Sequence, residues 1–206
     1  LLKSKTVVIP NYVETDRFIP LSRDIYEFDV LFVGRLSPQK NISTLLSALC
    51  DLDIKIMIIG DGGLRNDLKT KFGDMNNNLT WQRKIPNSDL PALMNNSRIF
   101  ILPSYYEGHP KTLIEAMACG MAVIGADSPG IREIISHKKN GYLCSPDAES
   151  IRSSIKILLA NPRLRDHLGK NAREYVVDHF SLDRVLKMEY ALYKEVLSEN
   201  QWKIPN

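Results

Sequence analysis

The stretch that decides the fold is "RIFILPSYYEGHPKTLIEAMACGMAVIGA", residues 98–126. It opens on an apolar run, "RIFILP" (98–103), passes through a polar, glycine- and proline-bearing loop, and resumes with "TLIEAMACG" (112–120) at helix period. A second apolar run, "MAVIGA" (121–126), comes at once after it. Strand, loop, helix and strand in that order form a unit whose two strands lie parallel. The loop is the odd part, because Glu107 and Glu115 flank a lysine directly after a core strand.

The same alternation extends outward in both directions. Further strand candidates are "TVVIP" (6–10), "DVLFVG" (29–34), "IKIMIIG" (54–60), "NLTWQ" (78–82) and "GYLCS" (141–145). Their Val, Ile, Leu and Phe fall on both faces, as strands covered on both sides require. Helix candidates lie between them: "NISTLLSALC" opening on Asn41, "GGLRNDLKTKFG" stopping at Gly73, "SDLPALMNN" with Ser88 as cap, and "IREIISHKKNG" (131–141). From Asp147 onward there are three helix signals and no strand; Asn161 and Ser181 read as N-caps. The expectation is an α/β, Rossmann-like, doubly wound parallel sheet with helices on both faces and a helical C-terminal tail.

Composition narrows the class. The chain has 206 residues, enough for one core without disulfides, and a formal charge of +3, which makes no case for nucleic acid. Three widely spaced cysteines, Cys50, Cys119 and Cys144, lie in or beside apolar runs and read as buried free thiols of a reducing compartment. No apolar run reaches membrane-span length, and the histidines carry no metal-ligand spacing. "DLD" (51–53) precedes its strand and so belongs to the edge away from the other polar groups. The opening "LLKSKTVVIPN" has no methionine, and we read the chain as a piece of a longer protein.

In a parallel sheet ligands bind outside the carboxyl ends of the strands. The segments leaving those ends carry Arg35 and Lys40 after the 29–34 run, "DGG" (61–63) after Gly60, and the Glu107–Glu115 segment after the 98–103 run. Cations and helix N-termini suit a phosphate. An ionised carboxylate only accepts, and suits two sugar hydroxyls. Phosphate and polyol together describe a nucleotide or a nucleotide sugar.

The residues "VIPNYVETDRFIP" (8–20), "VGRLSPQKN" (33–41), the E-x7-E of Glu107 and Glu115 within "LPSYYEGHPKTLIEAMACGMAVIGADSPGIREII" (102–135), "NGYL" (140–143) and the ending "FSLDRV…YALYKEVL" resemble a known family in order. That family is the donor-binding C-terminal domain of group 1 (family 4) retaining glycosyltransferases of the GT-B fold. The resemblance implies that Arg35, Lys40 and Glu107 are catalytic. Arg35 and Lys40 would hold the donor diphosphate, Glu107 the donor sugar and Glu115 the ribose. The amides of Lys111, Thr112 and Leu113 would meet phosphate, and Gly34, Gly60, Gly108, His109 and Arg83 complete the donor site. It implies a UDP- or GDP-sugar donor, no metal and no cofactor. It also implies an acceptor domain missing from before Leu1, so that this piece alone is inactive. The setting implied is cytoplasmic polysaccharide or lipopolysaccharide assembly, with peripheral contact at the inner membrane face an option for the longer protein. The domain plan is linker and first strand (1–28), nucleotide-sugar-binding domain (29–180) and a C-terminal helix (181–206) packing toward the missing domain. Two departures stand out: Arg83 where the family often has a small residue, and His109-Pro110 in place of Phe-Gly. Other readings are a GT-B relative with different chemistry, such as a sugar-nucleotide epimerase or phosphorylase, and a non-catalytic nucleotide-binding Rossmann domain.

Overall fold

A computed structural model describes residues 6–22, 25–73, 75 and 77–199. Among these residues six strands form one parallel sheet: β1 (Phe28–Val33), β2 (Ile56–Ile59), β3 (Leu79–Gln82), β4 (Ser97–Leu102), β5 (Ala122–Ala126) and β6 (Tyr142–Cys144), in the order β3-β2-β1-β4-β5-β6. Successive side chains of a strand point to opposite faces. Every residue of β2 and β5 is nonetheless buried, so helices cover both faces. On one pairing α1 (Ile42–Leu49) packs against α5 (Ala148–Ala160); on another α4 (Lys111–Ala118) packs against α6 (Pro162–Phe180). Two shorter helices, α2 (Arg65–Phe72) and α3 (Leu90–Asn95), complete the crossovers, and α7 (Leu182–Glu199) runs beside α6. Each fully buried Leu, Ile or Phe contributes about 1.5–3 kcal/mol against the entropy of ordering the chain.

The order of the strands reverses between β1 and β4, and this switch point is where an open α/β sheet leaves a crevice. Local chemistry fixes the helix ends around it. Asn161 caps α6, its Oδ1 accepting from Leu164 N at 3.0 Å with Pro162 at the first helical position. Asp147 does the same for α5 through Ser150 N at 2.9 Å.

Several expectations are corrected. Residues 6–10 form no strand and make no backbone pairing among the described residues, with Val8 79% exposed. The pairing instead comes later, where Val13 N donates to Phe180 O at 2.8 Å and Leu182 N to Val13 O at 3.2 Å. Residues 131–141 make turns rather than a helix. There the Asn140 carboxamide captures Ser136 N and Ile134 O, and Lys138 turns left-handed at φ 62°. Ser88 caps nothing; it lies within a 3₁₀ turn, Asn87–Asp89, with its hydroxyl on Asp89. Cys50 is exposed at the end of α1, whereas Cys119 and Cys144 are buried and their thiols pushed up to about 12 by that burial. Residues 1–5 of the expected linker and 200–206 of the expected last helix lie outside the described residues.

One guanidinium ties the segment before β1 to the body. Arg173 of α6 donates to Phe18 O at 2.5 Å, Ala118 O at 2.8 Å and Thr15 O at 2.9 Å. Phe18 itself is buried.

Candidate functional site

The site starts from backbone. Gly34, directly after β1, donates to Ile59 O at 3.0 Å, and Gly60, directly after β2, donates to Gln82 O at 3.1 Å. A Cβ on Gly60 would sit 1.9 Å from Gly34 O, so the two strand ends touch through main chain alone. Beyond them a cavity of about 430 Å³ opens. Val33, Ile59, Ile85 and Leu90 form its apolar wall; Arg35, Asp61, Lys84 and Asn87 supply its polar groups. Arg35 is exposed and has no acceptor among the described residues.

The loop after β1 then folds back. A 3₁₀ turn, Pro38–Lys40, ends at Asn41 in the left-handed region at φ 55°, which an asparagine tolerates. This aims Lys40 at the loop after β4: its Nζ lies 2.6 Å from Glu107 Oε1, with both side chains largely buried. Gln39 fixes the same two loops together, its carbonyl accepting from Tyr105 N at 3.0 Å and its Nε2 donating to Tyr106 O at 2.7 Å. Glu107 N in turn donates to Pro129 O at 2.9 Å.

At the start of α4 the amides of Lys111 and Thr112 have no acceptor among the described residues. That of Leu113 does, donating to Pro110 O at 3.2 Å. Leu113 is therefore not a free phosphate donor, and the open helix end consists of two amides. The Lys111 ammonium lies over the Tyr12 ring at 4.8 Å. Glu115, one turn on, is 1% exposed, and its Oε1 accepts from Asn87 Nδ2 at 3.0 Å. Burial raises its pKa, while the Asn87 hydrogen bond, Lys111 and Arg17 pull it back.

The structure thus brings Gly34, Arg35, Lys40, Gly60, Glu107, Gly108, Lys111, Thr112 and Glu115 to one sheet edge. Two residues stand apart. Arg83 does not line the cavity; it is exposed and lies 3.6 Å from Asp61, and its neighbour Lys84 faces the cavity instead. The His109 ring packs edge-on against Phe180 at 4.8 Å between centroids, and both ring nitrogens are buried without partners. Burial lowers its pKa, and the half-buried ring packs on α6 rather than lining the cavity. Sequence reasoning missed Asn87, Lys84, Ile85 and Gln39. The signal for the first three was the "RKIPN" turn after β3, whose carboxyl end opens on the same crevice. Among the described residues there is no cluster of His, Cys, Asp or Glu arranged for a metal, and no helix long and apolar enough to cross a membrane.

A glycine-lined crevice at the switch point of a parallel sheet, with an exposed cation and an open helix end beside it, is the arrangement of a Rossmann-like ligand-binding domain. The family model for glycosyl transferases group 1 matches residues 16–175, and the chain belongs to that family. An uncharacterized glycosyltransferase of Methanocaldococcus jannaschii is 29% identical over 199 residues, covering 95% of this chain and 55% of that protein. The UDP-Gal:alpha-D-GlcNAc-diphosphoundecaprenol alpha-1,3-galactosyltransferase of Escherichia coli is 29% identical over 205 residues, covering 86% and 51%. The sucrose-phosphate synthase of Thermosynechococcus elongatus superposes with a TM-score of 0.83 at 26% identity, over 93% of this chain and 53% of that one. The fold is therefore the Rossmann-like domain of the GT-B fold, and the chain spans about half the length of the relatives it matches.

Proposed function

We propose that this domain binds the nucleoside diphosphate and sugar of a UDP- or GDP-sugar, as the donor half of a retaining, metal-independent glycosyltransferase acting on a glycan or lipid-linked acceptor. The observation that carries this is a cavity of about 430 Å³ lined by Arg35 and Asn87, with Asn87 bonded to Glu115 and the Lys40–Glu107 pair and the open start of α4 at the same sheet edge. Cleaving a glycosyl–phosphate bond leaves negative charge on the departing diphosphate. Arg35, Lys40 and the α4 dipole would stabilise it in place, and Glu107 would orient the sugar. The name of the Escherichia coli relative, which includes a diphosphoundecaprenol-linked acceptor, supports a lipid-linked acceptor; polysaccharide or lipopolysaccharide assembly on the cytoplasmic side is the setting we propose with it.

The acceptor half would belong to the same longer protein. Leu186, Tyr190, Tyr193 and Leu197 expose an apolar stripe on α7, and Val8 is exposed before β1, which supports docking of a further domain there. On this reading the 206-residue chain binds donor but transfers little. Peripheral membrane contact would lie with the longer protein.

The test is thermal unfolding with UDP, GDP, ADP, their common sugar conjugates and NAD. A ligand at about a hundred times its dissociation constant adds about 2.7 kcal/mol. For a chain of this size that is roughly 5–11 °C. A shift with one nucleoside diphosphate, lost in Arg35→Ala, is expected; a shift with NAD alone would overturn the proposal.

A further inference from the structure

Asn87 lines the cavity and makes two side-chain hydrogen bonds of opposite sense. Its Nδ2 donates to Glu115 Oε1 at 3.0 Å, and its Oδ1 accepts from Nη2 of Arg17. Arg17 comes from the segment before β1, is held by Glu14 at 3.2 Å, and lies over the Phe18 ring at 5.3 Å. A guanidinium can only donate and an ionised carboxylate can only accept. The orientation of the carboxamide is therefore dictated from both ends: oxygen to Arg17, nitrogen to Glu115. Of the side chains of this shape, asparagine alone satisfies both partners, since aspartate offers no donor to the carboxylate and leucine offers neither group.

We propose that Asn87, anchored by Arg17, is the positioning residue that holds the Glu115 carboxylate in place for the ribose hydroxyls of the donor. This role rests on the reading of Glu115 as the ribose-binding group. The need for such a residue is physical. Glu115 is almost fully buried on α4, and burial favours its proton. The charged groups bearing on it are Lys111 from its own helix and Arg17 and Glu14 from the segment before β1; the buried Cys119 thiol one turn on is titratable but held protonated. Lys111 and Arg17 favour the ionised form, Glu14 opposes it, and Asn87 supplies the direct hydrogen bond. A carboxylate fixed at one oxygen by Asn87 leaves its other oxygen to accept from a ligand hydroxyl.

Asn87→Asp is the discriminating substitution. It keeps an oxygen for Arg17, so the anchor survives, and replaces only the donor that faced Glu115 with a second carboxyl group. Two adjacent carboxyl groups share a proton, so the pair would retain it to higher pH than Glu115 does alone. The expected result is a loss of UDP or GDP affinity of about tenfold near neutral pH, with inorganic pyrophosphate bound as by the parent. The pH dependence of nucleotide binding should be displaced upward from the parent's, because the pair holds its proton to higher pH than Glu115 does alone. Arg17→Met provides a second variant. It frees the carboxamide to turn, and should show a smaller loss with the same selectivity for nucleotide over pyrophosphate. Equal losses for nucleotide and pyrophosphate, or a pH profile that overlays the parent's, would overturn the role of Asn87. Failure of the parent to bind UDP or GDP at all would instead overturn the reading of Glu115 on which it stands.

Discussion

Gly130 offers the sharpest test of how the Glu107 loop is held. Its backbone is left-handed at φ 81°, and a Cβ placed there would lie 2.1 Å from Glu107 O and 2.7 Å from Gly108 O. Real Cβ contacts essentially never fall under 3.0 Å, so in Gly130→Ala the Glu107–Gly108 peptide must retreat by about 1 Å. It cannot do so freely, since Glu107 N is bonded to Pro129 O at 2.9 Å and Glu107 Oε1 is paired with Lys40 at 2.6 Å. The left-handed backbone adds about 1–2 kcal/mol for an L side chain. Together with the displaced contacts we expect a loss of about 2–3 kcal/mol, or roughly 4–12 °C in Tm for a chain of this size. A displacement of this order near reacting groups costs about a hundredfold in rate. Calorimetry of the variant against a nucleoside diphosphate and its sugar conjugate should show the sugar's share of the affinity lost and the nucleotide's largely kept. An unchanged Tm with an unchanged preference for the conjugate would refute this account of the loop.

Arg35→Ala should weaken pyrophosphate or nucleotide binding by about 1.5–3 kcal/mol without altering Tm, because the side chain is exposed and has no acceptor among the described residues. Lys40→Ala should weaken binding similarly but also lower Tm, because it leaves the largely buried Glu107 carboxylate without its cation; titration calorimetry with parallel melts separates the two. In native protein a maleimide at about pH 8 should label one thiol, Cys50, rapidly. Cys119 and Cys144, buried and with pKa values pushed up to about 12, should react only on unfolding, as mass spectrometry of the peptides would show.

Much of this architecture was written locally. The runs giving β1, β2, β4 and β5 are dominated by apolar residues on both faces, and that pattern has one stable solution, a sheet covered on both sides. The "TVVIP" run carries the same β-branched signal, yet it forms no strand, because strand formation needs a partner edge that no local pattern states. Residues 131–141 show helix periodicity, but Asn140 offers its carboxamide to backbone groups a helix would have used. At the site, Lys40 and Glu107 were legible because each comes shortly after a strand end. Their pairing was not, since it depends on the left-handed turn at Asn41. Asn87 was illegible for a related reason: its partners lie 28 and 70 residues away and meet only in the folded crevice.

The clasp made by Val13, Phe180 and Leu182, together with the grip of Arg173 on Thr15, Phe18 and Ala118, has a mechanical meaning. The extended segment leading into the sheet and the helix leading away from it are tied at one fulcrum. The start of α7 meets Val13 and the end of α6, and from α6 the Arg173 guanidinium reaches Ala118, the last residue of α4. The helix carrying Lys111 and Glu115 is thereby joined, through Ala118 and Arg173, to the same helix α6 whose last residue pairs with Val13.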